Sequence, residues 1–141
     1  MVLIRKACID DLEEVVKLDS DLGYQVTAKG IRAALIHHIE NPDYYLLVAE
    51  EQDEVVGMAS FSIKYYLHRE KPVLYIGSMV VKEKFRSQGI GGKLMEEVER
   101  TARQRGCNSI QLNSNKRRKG AHRFYENLGF AEVSLKYEKL V

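Results

Sequence analysis

The strongest restriction on how this chain folds is a double change of hydrophobic period. Residues 9–40 carry apolar side chains at helical spacing, residues 44–81 are rich in β-branched and aromatic residues, and from Ile90 helical spacing returns. Tyr44 to Glu50 and Val55 to Leu67 flank the polar turn Glu51-Gln52-Asp53-Glu54, which predicts a hairpin. A third run, Val73 to Val81, follows Lys71-Pro72 and extends the same antiparallel sheet.

Ahead of the sheet, Val2 to Lys6 reads as a strand, and Asp10 with Glu13 three residues on reads as an acidic helix cap. The first helix carries Leu12, Val15, Val16 and Asp19 and fades near Gly23. Thr27 caps a second, whose Ile31, Ala34, Leu35, His38 and Ile39 share a face until Asn41-Pro42 stops it. Behind the sheet, Ile90, Leu94, Val98 and Ala102 recur every four residues up to Gly106. Asn108 to Asn113 is predicted as a strand, Ala121 to Leu128 as a helix ending at Gly129, and Phe130 to Leu140 as a last strand. The order is β-α-α-β-β-β-α-β-α-β, an α/β (α+β) fold with a mixed, mostly antiparallel sheet flanked by helices. Its 141 residues suit a single domain spanning 1–141.

Composition excludes more than it selects. With 45% hydrophobic and 30% charged residues, neither a disordered nor a fibrous chain is expected. Apolar runs are short, and Met1 to Lys6 lacks the stretch a signal peptide needs, so a cytoplasmic protein without membrane contact is expected. Cys8 and Cys107 show no metal-like spacing and read as small buried hydrophobes in a reducing compartment. His37 and His38 are adjacent on a helix and so point to different faces, which argues against a metal site. A net charge of +2 does not call for nucleic acid.

The main chemical signal lies where the strand Met79-Val80-Val81 runs through Arg86-Ser87-Gln88-Gly89-Ile90-Gly91-Gly92-Lys93 into a helix. Free N–H groups at a helix start, added to the helix dipole, make an anion site suited to a pyrophosphate. Gly89 and Gly91 leave room for close approach, and Arg86 and Lys93 add charge. The same glycines also occur in ordinary turns; the position between a β-run and a strongly periodic helix is what makes the pattern selective. It is not a P-loop, since Gly-x-x-x-x-Gly-Lys-Ser/Thr is absent, and hairpins ahead of the turn disfavour a dinucleotide-binding βαβ unit.

Arg86-Ser87-Gln88-Gly89-Ile90-Gly91 resembles the Arg/Gln-x-x-Gly-x-Gly/Ala motif of the GNAT acetyltransferases, and Ala121-His122-Arg123-Phe124-Tyr125-Glu126-Asn127-Leu128-Gly129-Phe130 resembles their second landmark. Asn115 to Tyr125, and Val55-Val56-Gly57-Met58, are similar more narrowly to aminoalkylphosphonate N-acetyltransferases. The resemblance implies acetyl-CoA as co-substrate, a small-molecule amine as acceptor, direct attack in a ternary complex, and by family habit a homodimer. It implies that the turn holds the pyrophosphate and that Met79, Val80 and Val81 offer backbone N–H to the acetyl carbonyl and pantetheine. Tyr125 matches the usual general acid, against a reading as an ordinary core aromatic beside Phe124 and Phe130. Asn115 is either a pantetheine or acceptor ligand or a turn former.

One departure stands out. Many relatives carry a glutamate just ahead of the strand residues, and here that position is Ser78. The base is then water relayed by Ser78 or a tyrosine, a group such as Asp21 or His68, or no base at all if the amine arrives neutral. The basic run Lys116-Arg117-Arg118-Lys119 reads first as a solvated helix start, next as an anchor for a CoA phosphate, and last as an acceptor contact. Rival readings are a protein or peptide acceptor, and a regulatory domain that binds acetyl-CoA without turning it over.

Overall fold

A computed structural model describes all of Met1–Val141. By the density of its internal contacts the chain resolves into two compact units, Met1–Gln111 and Leu112–Val141.

The first unit holds β1 (Val2–Lys6), α1 (Leu12–Asp21), α2 (Ala28–Glu40), β2 (Tyr44–Glu51), β3 (Glu54–Lys64), β4 (Val73–Val81) and α3 (Ile90–Gln104). β5 (Ile110–Leu112) starts in it and ends in the second, which carries α4 (Lys119–Asn127). The sheet runs in chain order from β1 to β5, with β1 to β4 antiparallel. No helix is long and apolar enough to cross a membrane.

A two-residue turn fixes the hairpin of β2 and β3. Gln52 and Asp53 both take positive φ, 50° and 63°, the geometry a two-residue hairpin needs to match strand twist. Successive β3 residues then serve opposite faces. Met58 joins Val15, Leu18, Leu35 and Val80 in the core beneath α1 and α2. On the other face a Cβ at Gly57 would sit 3.5 Å from Leu94 of α3 and 3.0 Å from the Val80 carbonyl oxygen, so glycine lets the helix lie close to the strand. Ile90, Leu94, Met95, Val98 and Ala102 make the buried stripe of α3.

Polar anchors set the positions of the helices. The Asp11 carboxylate accepts two bonds from the Arg5 guanidinium, each 2.9 Å, and one from the Cys8 amide at 2.8 Å. Asp11 stands at the N-cap position of α1, but its carboxylate reaches back to the Cys8 amide ahead of the single 3-10 turn Ile9–Asp11 and makes no cap bond to α1. The Asp10 and Glu13 cap the sequence suggests is replaced by this backward bond; Asp11 is 6% exposed. Thr27 Oγ1 accepts from the Gly30 amide at 3.0 Å, the cap expected for α2. Lys82, just past β4, donates to Glu14 of α1 at 2.8 Å. Arg105 holds the end of α3 through the Pro42 carbonyl at 3.0 Å, the Tyr45 hydroxyl at 2.7 Å and the Asp43 carboxylate.

Three expectations change. β3 ends at Lys64, so Tyr65 to Leu67 lie outside it and are exposed. Cys8 is exposed and Cys107 half-buried, both as free thiols. The last strand is absent: Phe130 to Val141 adopt no regular structure, and Val133, Leu135 and Tyr137 stand 81%, 67% and 87% exposed. Their alternation suits a strand, but residues 131–141 donate and accept no backbone hydrogen bond, and alternation without a ladder partner makes no strand.

Candidate active site

In the first unit, β4 leads straight into the glycine turn. Between Ser60 and Phe61 of β3 the register with β4 shifts, leaving Gly77 as the extra residue of a bulge. A Cβ at Gly77 would come within 3.1 Å of Ser60 Oγ, so its absence makes room for that hydroxyl. Ser60 Oγ in turn lies 2.6 Å from Ser78 Oγ. Bulges of this kind bend a strand and re-aim its next residues.

Here the re-aimed residues are Met79-Val80-Val81, whose backbone groups alternate in direction. The Lys82 amide donates to Val56 of β3 at 2.8 Å, and the Val80 carbonyl faces the same neighbour. The amides of Met79 and Val81 therefore face the opposite edge, toward β5. On that edge the Val81 carbonyl accepts from Arg86 Nε at 2.9 Å, which seats the guanidinium beside the strand end. Of the three strand residues named from the sequence, Met79 and Val81 have outward N–H groups, and Val80 is committed to the ladder.

The turn itself is held in a left-handed bend. Ser87 has φ 64° and Gly89 φ 83°, and the Gln88 side chain reaches back to the Lys84 carbonyl at 3.5 Å. Lys93 donates the first helical bond, to Gly89, at 3.0 Å. The amides of Gly89, Ile90, Gly91 and Gly92 donate to no acceptor in the protein. Nothing lies within 4 Å of where a Cβ would stand at Gly89 or Gly92. Ile90 is buried and pins the bend to the core, while Arg86, Ser87, Gln88 and Lys93 are exposed. Four unpaired donors beside two cations can chelate a diphosphate, and no carbonyl of the protein closes the turn.

In the second unit, Tyr125 lies on α4 and is 8% exposed. Its ring packs edge-on against Phe124 and Phe130, with centroids 5.3 and 5.7 Å away. Its hydroxyl has no partner in the protein, and burial pushes its pKa up, so the phenol holds its proton throughout the neutral range. Gly129, at φ 94°, closes the helix with its amide on Glu126 and that of Phe130 on Tyr125. Asn115 uses its side-chain oxygen inside its own turn, accepting from the Arg117 amide at 3.0 Å, while its carbonyl accepts from His122 Nε2 at 2.9 Å. That favours the turn-forming reading. Lys116 to Lys119 are all exposed, as a solvated helix start would be.

Two side chains that the sequence places only on helix faces turn out to lie beside Ser78. Asp19 of α1 and His38 of α2 line one cavity with Ser60 and Ser78. Asp21 and His68, the groups named in advance, are exposed and line neither this cavity nor its neighbour. The signal was present: a carboxylate in the stripe of Val15, Leu18 and Leu22 sits on the buried side of an amphipathic helix, where charge is expensive.

Comparison with known proteins identifies the family. Residues 11–130 match the model of the Acetyltransferase (GNAT) family. An aminoalkylphosphonate N-acetyltransferase of Salmonella typhimurium is 31% identical over 141 aligned residues, covering 96% of this chain and 89% of its own. Among solved structures, a transcriptional regulator from Bacillus halodurans superposes with TM-score 0.85 at 30% identity, covering 99% of this chain and 100% of that one. An aminoglycoside N-acetyltransferase in complex with CoA shares the fold, with TM-score 0.87 at 21% identity over 99% and 95% of the two chains. The chain belongs to the GNAT acetyltransferase family and is an N-acetyltransferase.

Proposed function

We propose that this enzyme transfers the acetyl group of acetyl-CoA to the primary amine of a small molecule, by direct attack of the amine on the thioester in a ternary complex. The observation that carries the reading is the open turn after β4, with four backbone amides that the protein leaves unpaired and the Arg86 guanidinium fixed alongside.

On this reading residues 86–93 bind the pyrophosphate, and the outward amides of Met79 and Val81 take the pantetheine and the acetyl oxygen. An N–H held ready for the charge that develops on that oxygen contributes about 3 kcal/mol to the transition state. Tyr125 gives its proton to the departing sulfur. The raised pKa of its phenol keeps that proton in place until a thiolate forms.

The acceptor is a compact amine with an anionic end, of the kind named for the Salmonella relative. A cavity of about 180 Å³ beside Gly77 supports this, since Lys64 and the side chains of Tyr44 and Ser62 line it. Lys64 Nζ rests 4.5 Å above the Tyr75 ring and supplies positive charge there. Thiol release from acetyl-CoA, followed across aminoalkylphosphonates, polyamines, aminoglycosides and peptides, tests the reading. Aminoalkylphosphonates should turn over fastest; acetylation of peptides alone would replace a small-molecule acceptor with a protein one.

A further inference from the structure

Resting on the acetyl-transfer reading above, the missing glutamate before β4 leaves open which groups receive the amine. A cavity of about 80 Å³ adjoins the larger one, sharing His38 and Ser60 with it. Its polar lining is Asp19, His38, Ser60 and Ser78, and the rest is apolar, including Leu35, Leu46 and Met58.

Each polar member has a defined state. Ser60 and Ser78 satisfy each other at 2.6 Å. His38 Nδ1 stands 2.7 Å from the Ala34 carbonyl oxygen, an acceptor only, so Nδ1 carries a proton in this contact and the lone pair of the neutral ring is the one on Nε2. The Asp19 carboxylate is partly buried and makes no hydrogen bond or ion pair within the protein, and burial pushes its pKa up. A carboxylate without a cation in a largely apolar cavity gains most when an ammonium arrives beside it.

We propose that this cavity is the amine end of the acceptor site, where Asp19 pairs with the ammonium and His38 Nε2 takes its proton. The positive charge moves from the ammonium to the imidazole and then to solvent. One nitrogen proton passes to Nε2 and on to water. The freed lone pair forms the N–C bond to the thioester carbon, and the C–S bond breaks as the adduct collapses. Sulfur leaves with the proton of Tyr125, and the second nitrogen proton, lost as the amide forms, restores the phenol through solvent. Amide, thiol and one released proton balance the ammonium and thioester consumed.

The charged and titratable groups around His38 are few. Asp19 lines the same cavity from α1, Tyr44 packs on it from β2 with ring centroids 5.3 Å apart, and His37 lies on its own helix at 6.2 Å. From β3 and β4 the smaller cavity presents only the neutral hydroxyls of Ser60 and Ser78, and Lys64 and Tyr75 line the larger one.

Asp19→Asn and His38→Gln, compared with the parent enzyme, test the assignment. CoA affinity by calorimetry should be equal in all three, which separates the acceptor end from the cofactor turn. With 2-aminoethylphosphonate as acceptor, Asp19→Asn should raise KM about tenfold or more, by removing the charge that pairs with the ammonium. His38→Gln should lower kcat roughly 100-fold, leave KM near its parent value and abolish the acid limb of the rate profile. Retention of the limb and rate in His38→Gln, or of KM in Asp19→Asn, overturns the proposal. Should the parent bind CoA yet acetylate no amine, the transfer reading fails by itself, and an NMR titration of the histidine rings with propylammonium decides the cavity. A saturable His38 shift that Asp19→Asn removes sustains an amine site, and no shift at His38 overturns it.

Discussion

Gly89→Val separates the backbone role of the turn from its part in the fold. At φ 83° a β-branched residue is strained, and left-handed geometry costs a non-glycine residue about 1–2 kcal/mol, more for valine. Nothing lies within 4 Å of the new Cβ, so the strain is in the backbone alone, and rotation of residue 89 toward negative φ relieves it. Relaxation rotates the peptides on either side of residue 89 and takes the amides of 89 and 90 out of line with 91 and 92. Hydrogen bonds to a charged group contribute about 1.5–3 kcal/mol each, so losing two costs about 4 kcal/mol. At about 1.4 kcal/mol per decade, CoA affinity should fall on the order of 1000-fold. The melting temperature should fall by only a few degrees, because residue 89 is exposed and buries nothing. Calorimetric titration of CoA and a thermal melt on the same samples measure both. Gly89→Asn, whose side chain tolerates the left-handed region, should lose much less. Parental affinity in the valine variant would refute the idea that these amides hold the cofactor.

Other changes have equally definite outcomes. Tyr125→Phe should lower kcat on the order of 100-fold with CoA affinity unchanged, and an undiminished rate would remove it as the acid. Asp11→Ala removes two of the bonds of the Arg5 guanidinium, which keeps Glu50 at 3.5 Å, and leaves the Cys8 amide without its acceptor, and chemical denaturation at pH 7 should show a loss of about 2 kcal/mol. Arg5 holds the Asp11 carboxyl below its ordinary range, so this contribution is present above the unfolded carboxylate pKa and disappears as pH falls through the depressed value. Asp19 has the opposite sign. Burial raises its pKa, the unfolded chain ionises first, and stability is lost as pH rises through that window. Asp19→Asn should therefore raise the melting temperature at pH 7 and leave it unchanged below about pH 3, where both states are protonated.

Much of the fold was legible because local chemistry and tertiary need coincide. Val73 to Val81 stands as read, since a β-rich run after Lys71-Pro72 has a ready partner in β3. The helix from Ile90 was set by its buried stripe and by the left-handed Gly89 and Gly106 at its two ends. Residues 130–140 show the limit: alternation records a preference, and only an available edge turns it into a strand. At the site, the turn could be read because it is contiguous in sequence. Asp19, His38, Ser60 and Ser78 could not be grouped in advance, since they come from four elements and only the bulge at Gly77 and the packing of α1 and α2 on the sheet bring them to one cavity. Val80 shows a subtler limit, for which of three consecutive amides faces outward depends on strand register, which the sequence does not state.

The most direct test is an amide-resolved NMR titration with CoA and, separately, with pantetheine, which lacks the pyrophosphate. Saturable shifts at Gly89, Ile90, Gly91 and Gly92 with CoA, and none at those four with pantetheine, are predicted. Saturation by CoA with these four amides unmoved would contradict the account.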